Sequence, residues 1–229
     1  MKYEVLIFDA DKTLFDFEAA EKFALANSFK KYKIKYREDF HLTEFKKINK
    51  KIWTEFEQKL ITAEKLKPER FKRFFHRLNL KGIDPQEFSD CYLNFLSTNN
   101  TLLPGAKTLI EEISKNFRLA LLTNGLTKVQ KPRFSSSEIF NYFDTIVISE
   151  EVGVAKPDGK IFEIVMDRLN FTDKAKVLMI GDNLSSDING GNLFGIDTCW
   201  FNPDKKENNT DIKPTYEINK LYQLRSIVY

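Results

Sequence analysis

The sequence predicts an α/β protein: a doubly wound parallel sheet with an all-helical segment inserted near its start. Three observations carry this. Short, continuously apolar runs such as Val5-Leu6-Ile7-Phe8, Leu119-Ala120-Leu121-Leu122 and Val177-Leu178-Met179-Ile180 read as strands buried on both faces. From Leu103 onward such runs alternate with amphipathic stretches, and parallel neighbours need crossovers of that kind. Between about Asp16 and Ser97, no strand pattern occurs at all.

Taken in order, Tyr3 to Phe8 is the first strand. Phe15 to Tyr32 then places Phe17, Ala20, Ala24 and Leu25 at helical spacing, and Leu42 to Leu60 does the same with Phe45, Ile48, Ile52, Trp53 and Phe56. Thr62 to Leu78 contains Pro68, so a break is expected there, with a new helix starting near it. Asp84-Pro85 has the form of a helix start, with Asp as N-cap and Pro in the first turn. Pro104-Gly105 opens a helix carrying Leu109, Ile110 and Ile113. Strands follow at Arg118 to Leu122, Thr145 to Ser149, Val177 to Ile180 and Thr198 to Phe201, with helices at Ile161 to Leu169 and Ser186 to Phe194. Pro203 to Pro214 is polar and reads as a loop, before a short strand near Tyr216 to Ile218 and a short helix. The many phenylalanines are most economically core filling.

The totals exclude several classes. With 229 residues, 42% hydrophobic and 30% charged, the chain can bury a sizeable core and is not disordered in type. A net charge of +3, from 36 basic and 33 acidic residues, gives no field suited to a nucleic acid polymer. Cys91 and Cys199 lack metal-ligand spacing, no apolar run approaches a membrane span, and the first residues carry no signal-peptide pattern. A cytoplasmic protein without membrane partners is the expectation.

The chemistry is expected where strands end. In an open parallel sheet, the loops leaving the carboxyl ends of the strands share one edge, and ligands bind there. Asp9 and Asp11, Thr123 and Asn124, Lys156, and Asp182 and Asp187 all fall on that edge. Each alone has a plain reading as a turn or surface loop; four together on one edge do not. Asp9, Asp11, Asp182 and Asp187 would crowd negative charge, which a hard divalent cation relieves, and oxygen-only ligands without His or Cys suit Mg2+. Magnesium shares its sites with phosphates, so a small phosphate ester is the expected substrate. Thr123, Gly125 and Lys156 offer a hydroxyl, a backbone N–H and a compact positive charge for phosphate oxygens. One carboxylate can attack phosphorus and form an aspartyl-phosphate, and an acid two residues on can serve the leaving oxygen and then the water.

Asp9-Ala10-Asp11-Lys12-Thr13-Leu14, Thr123-Asn124-Gly125, Lys156-Pro157 and Gly181-Asp182-Asn183-Leu184-Ser185-Ser186-Asp187 resemble the four ordered motifs of the haloacid dehalogenase (HAD) superfamily. The resemblance covers the whole chain and implies a Rossmann-like core, residues 1–15 and 98–229, with a helical-bundle cap at 16–97. It implies Asp9 as nucleophile and Asp11 as general acid/base. Magnesium would be held by the Asp9 carboxylate, the Asp11 carbonyl and Asp182, with Asp187 supporting from behind. Thr123 and Asn124 would bind the phosphoryl group, and Lys156 would orient both nucleophile and phosphate.

Asp11 points to phosphate-ester hydrolysis, because the dehalogenases of this superfamily lack an acid there. Phe8 to Phe15, Ser149 to Pro157 and Thr198-Cys199-Trp200-Phe201-Asn202 further resemble the bacterial pyrimidine 5′-nucleotidase group. That resemblance implies hydrolysis of nucleoside 5′-monophosphates, with a cap that closes over the site and candidate contacts near Phe17, Glu18, Arg70 and Phe71. Lys12 departs from the acidic residue common at its position, and Lys128 to Ser137 is more basic and Ser-rich than that group suggests. Other readings are a phosphatase or phosphomutase for a sugar phosphate, and a receiver-type domain that keeps its phospho-Asp. The oligomeric state is not legible in the sequence.

Overall fold

The structure, a computed structural model, describes all 229 residues. Its elements run β1 (Val5–Phe8), α1 (Phe17–Lys31), α2 (Glu38–Glu57), α3 (Ala63–Leu78), α4 (Pro85–Ser97), α5 (Ala106–Ile113), β2 (Arg118–Thr123), α6 (Thr127–Ser135), β3 (Thr145–Ile148), α7 (Ser149–Val152), α8 (Gly159–Arg168), β4 (Val177–Gly181), α9 (Asn189–Phe194), β5 (Asp197–Phe201), β6 (Tyr216–Ile218) and α10 (Arg225–Val228). A single π-helical turn, Leu184–Ile188, leads into α9. No helix is long and apolar enough to cross a membrane.

All six strands are parallel, in the order β3-β2-β1-β4-β5-β6. This is the doubly wound, Rossmann-like sheet expected. The chain leaves β1 toward β2 and β3, then returns to the other side for β4, so the switch point lies between β1 and β4. Phe8 pairs with Ile180 there, which brings the residues just beyond both strands to one crevice.

The sheet has a core on each face because successive strand side chains point to opposite sides. Leu6, Phe8, Leu119, Leu121, Leu178 and Ile180 belong to one layer, packed with Leu109, Ile110 and Ile113 of α5. Val5, Ile7, Ala120, Leu122, Val147 and Met179 belong to the other, packed with Ile161, Phe162 and Val165 of α8. Double-sided burial is the physical reason that these strands read as unbroken apolar runs.

The chain divides into two compact units, one comprising residues 1–17, 101–127 and 134–229, the other 18–100 and 128–133. The second unit is helical, with an aromatic interior. Phe45 stacks on Phe71 at 5.3 Å, Phe71 meets Phe88 at 4.9 Å, and Phe29 lies 6.1 Å from Phe74. Residues 128–133 are tied to it by Lys128, whose Nζ donates to Asp90 at 2.8 Å, and by Arg133, whose Nε donates to the Asn99 carbonyl at 2.8 Å.

Pro68 does not break its helix, contrary to the sequence expectation. α3 runs unbroken from Ala63 to Leu78, although Pro68 has no N–H for the carbonyl four residues back. Leu66 before it and Phe71, Phe74 and Phe75 after it are all buried, and that apolar face outweighs one missing hydrogen bond. The Asp84 cap is as expected: its carboxylate accepts from the Glu87 N–H at 2.8 Å, with Pro85 in the first turn. Helix α6, which carries Pro132, has no clear signal in the sequence.

Candidate active site

The site forms where β1, β2 and β4 end. Asp9 follows β1 directly, and its N–H donates to the Ile180 carbonyl at 2.8 Å, extending the β1–β4 ladder by one rung. The chain then turns tightly, because the Ala10 carbonyl accepts from both Leu14 and Phe15 N–H at 2.9 Å. Lys12 sits at the turn with φ 65°, a left-handed conformation that disfavours any side chain. The turn leaves Asp9 8% exposed and aims Thr13 back, its Oγ1 reaching an Asp9 oxygen at 3.5 Å.

Lys156 arrives from the segment after α7 and is 1% exposed. Its ammonium donates to Asp9 Oδ1 at 2.6 Å, to Asp187 Oδ1 at 2.7 Å and to the Leu122 carbonyl at 2.8 Å. Carboxylate oxygens of Asp9, Asp182 and Asp187 all lie within 4.8 Å of one another. Residues from three segments far apart in the chain therefore meet. Asp11, partly exposed, stands outside that carboxylate group, although its charge is felt at Asp182.

The end of β4 is built around Asp187. The Asn183 side chain accepts from the Ser185 and Ser186 N–H groups, starting the π-helical turn that carries Asp187 inward. Asp187 Oδ2 then accepts the Asn183 N–H at 3.0 Å, so both its oxygens have protein donors. Asp187 packs so closely on Gly181 that a Cβ at that residue would stand 2.3 Å from Asp187 Oδ2. Gly181→Ala is expected to lower stability by about 1–3 kcal/mol through this overlap. Calorimetry should record a fall of a few degrees or more in Tm, and an unchanged Tm would mean that the turn shifts at no cost.

Charge sets the character of the cluster. Burial pushes the Asp9 carboxyl well above the ordinary carboxylate range; Lys156 opposes this, while Asp187 and Asp182 add to it. Burial and Asp187 push Asp182 up to about 7, against Lys12 and Lys156. Burial alone would lower the Lys156 ammonium, but Asp187 and Asp9 outweigh it and hold the lysine protonated. Three carboxylates against one buried ammonium leave an excess of negative charge. An all-oxygen set with that excess fits a hard divalent cation such as Mg2+. Asp9 and Asp182 are the members that would hold it, since Asp187 is already occupied by Lys156 and Asn183.

Thr123, 2% exposed, accepts the Gly125 N–H on its Oγ1 at 3.0 Å. The Asn124 side chain lies against the main chain of Lys156, donating to its carbonyl at 2.9 Å and accepting its N–H at 2.8 Å. Neither this contact nor the Leu122 carbonyl under Lys156 has a signal in the sequence, because backbone partners carry no residue pattern. Trp200, at the end of β5, donates its indole N–H to the Asp182 carbonyl at 2.9 Å. In the helical unit, Phe71 lies inside the aromatic core and Arg70, 2% exposed, lies against the Phe71 and Tyr92 rings. Glu18 pairs with Lys46 at 3.1 Å, and Phe17 is half-buried.

Comparison with known proteins agrees with this geometry. Residues 3–195 match the model of the haloacid dehalogenase-like hydrolase family. The chain is 35% identical to pyrimidine 5′-nucleotidase YjjG of Escherichia coli, over 100% of this chain and 99% of that protein. It is 36% identical to pyrimidine 5′-nucleotidase PynA of Streptococcus pneumoniae, over 95% and 92% respectively. Among solved structures, the HAD-hydrolase YfnB of Bacillus subtilis, bound to magnesium, superposes with a TM-score of 0.93 at 36% identity, covering 100% of this chain and 99% of that one. With its four strand-end segments gathered at one crevice, this chain belongs to the haloacid dehalogenase-like hydrolases.

Proposed function

We propose that this hydrolase is a magnesium-dependent phosphatase of nucleoside 5′-monophosphates, pyrimidine nucleotides foremost, acting through an aspartyl-phosphate. The observation that carries the reading is Lys156 bound between buried Asp9 and Asp187 with half-buried Asp182 alongside: a cation-seeking carboxylate set at the sheet's switch point. Near-full-length likeness to two pyrimidine 5′-nucleotidases supports the choice of substrate.

Asp9 is the nucleophile in this reading. Its carboxylate attacks phosphorus, the bond to the ester oxygen breaks, and Asp11 gives that oxygen a proton. Asp11 then takes a proton from the water that hydrolyses the acyl phosphate, returning Asp9 to its carboxylate form. Lys156 fixes the direction of the Asp9 oxygens. Thr123, together with Asn124 through its main chain, meets the phosphoryl oxygens. The Asp9 and Asp182 carboxylates and the Asp11 carbonyl would hold Mg2+, with Asp187 behind them. Bound there, the ion supplies positive charge against the phosphoryl group and the excess carboxylate charge.

The test is phosphate release from a panel of nucleoside monophosphates and sugar phosphates, with magnesium and with chelator. Fast turnover of pyrimidine nucleotides, lost on chelation, is the expected result. A fast sugar phosphate beside slow pyrimidine nucleotides would overturn the substrate, and a single labelling event without turnover would favour the phospho-acceptor reading.

A further inference from the structure

Lys156 is held at both ends by the end of one strand. An ammonium has three hydrogens, and here all three have acceptors: Asp9, Asp187 and the Leu122 carbonyl. Its main chain is gripped by Asn124, two residues beyond Leu122. The Asn124 amide accepts the Lys156 N–H at 2.8 Å and donates to the Lys156 carbonyl at 2.9 Å. The side chain thus copies the paired bonding of a neighbouring strand, across 32 residues of sequence. With Lys156 only 1% exposed, removing that amide would leave its N–H and carbonyl short of partners where water does not replace them.

We infer that Asn124 is a positioning residue whose side chain clamps the Lys156 backbone, so that the ammonium bridges Asp9 and Asp187, and that it does not carry the phosphoryl group through its amide. The inference rests on the phosphatase reading of the site and departs from the role that the family resemblance assigns to Asn124. The amide has one acceptor oxygen, engaged by Lys156 N–H, and its nitrogen already faces the Lys156 carbonyl. Turning the amide toward a phosphate would break both bonds; only its second N–H is left over, and inhibition by phosphate reads whether that hydrogen serves the ligand. A displaced Lys156 would turn the Asp9 oxygen away from the line of attack, and small misplacements of that kind cost rate far more than affinity.

The experiment uses the full-length protein with magnesium, comparing wild type, Asn124→Ala and Asn124→Ser, whose hydroxyl keeps at most one of the two bonds. Three quantities are read: kcat and KM on the best phosphate monoester, competitive inhibition by inorganic phosphate, and the slowly exchanging Nζ–H resonances of 15N-labelled Lys156. The expected result for Asn124→Ala is a kcat lower by about 10- to 100-fold. KM and phosphate inhibition should stay within about twofold, and the Lys156 resonances should be lost. Weaker phosphate inhibition by about tenfold or more, with kcat retained, would place the amide on the phosphoryl group and overturn the inference. Unchanged kinetics would overturn it as well. Should Asn124→Ala fail to fold, Asn124→Ser is read by the same criteria. A wild type without activity on any phosphate ester removes the phosphatase reading instead, and the Lys156 resonances alone then decide whether the clamp exists.

Discussion

Asp9→Asn is expected to stop phosphate release while leaving the protein folded. The asparagine oxygen can still accept from Lys156, so the contact now at 2.6 Å has a replacement. In the proposed phosphatase, what disappears is the nucleophile, since a neutral amide does not form the acyl phosphate. The loss of kcat should be about 10⁴-fold or more, the scale seen when a covalent nucleophile is removed. Stability should move the other way. Burial holds the Asp9 carboxyl well above its unfolded range, so its ionisation opposes folding as pH rises from the ordinary carboxylate range toward neutrality. In chelator at pH 8, the variant should therefore melt no lower than wild type. Recovery of more than about a tenth of the wild-type rate would remove Asp9 as nucleophile.

Lys156→Met is expected to cost both activity and fold. Methionine matches the length of the stem but leaves Asp9 and Asp187 facing each other without their shared cation. Removing one partner of a buried ion pair costs about 3–5 kcal/mol, because the remaining charge has no compensation. For a chain of this size that is a fall in Tm of roughly 10 °C. The pH dependence has a definite sign. Near pH 4 the deficit should be smallest, since a raised carboxyl is neutral there in the folded protein and costs far less to bury than a charge. As pH rises, Asp9, and Asp182 with its pKa of about 7, demand ionisation beside an uncompensated neighbour, so the gap to wild type should widen toward pH 8. Melting curves in chelator between these limits would check it. A deficit that is flat with pH would show that Lys156 contributes packing rather than charge.

The legible and the illegible parts of this molecule separate along a physical line. Strands covered on both faces leave continuous apolar runs, so the runs Tyr3 to Phe8 and Val177 to Ile180 could be read from the sequence, and they contain β1 and all but the last residue of β4. The rule that ligands gather at carboxyl ends then led to Asp9, Lys156, Asp182 and Asp187, which do meet. Main-chain bonding was out of reach: the Leu122 carbonyl under Lys156 and the Asn124 amide against its backbone depend on which residues the fold makes neighbours. Pro68 misled for a related reason. Its local cost is visible in the sequence, whereas the buried face of Phe71, Phe74 and Phe75 that outweighs it exists only after packing. Arg70, a candidate substrate contact from the sequence, is 2% exposed, its guanidinium 5.0 Å from the Phe71 ring centre and 4.9 Å from that of Tyr92, a packing that no local pattern announces.

Because neighbouring side chains of β1 enter different core layers, Leu6 and Phe8 in one and Val5 and Ile7 in the other, the strand behaves as a ratchet with two-residue teeth. One residue inserted among these four would oblige the strand either to turn its apolar set over or to push every downstream atom forward by a rise of about 3.3 Å. Either result swings Asp9 off the Lys156 nitrogen. Selection on the greasy interior of this strand is therefore also selection on the aim of its terminal carboxylate, and insertions or deletions within it should abolish turnover even where the protein still folds.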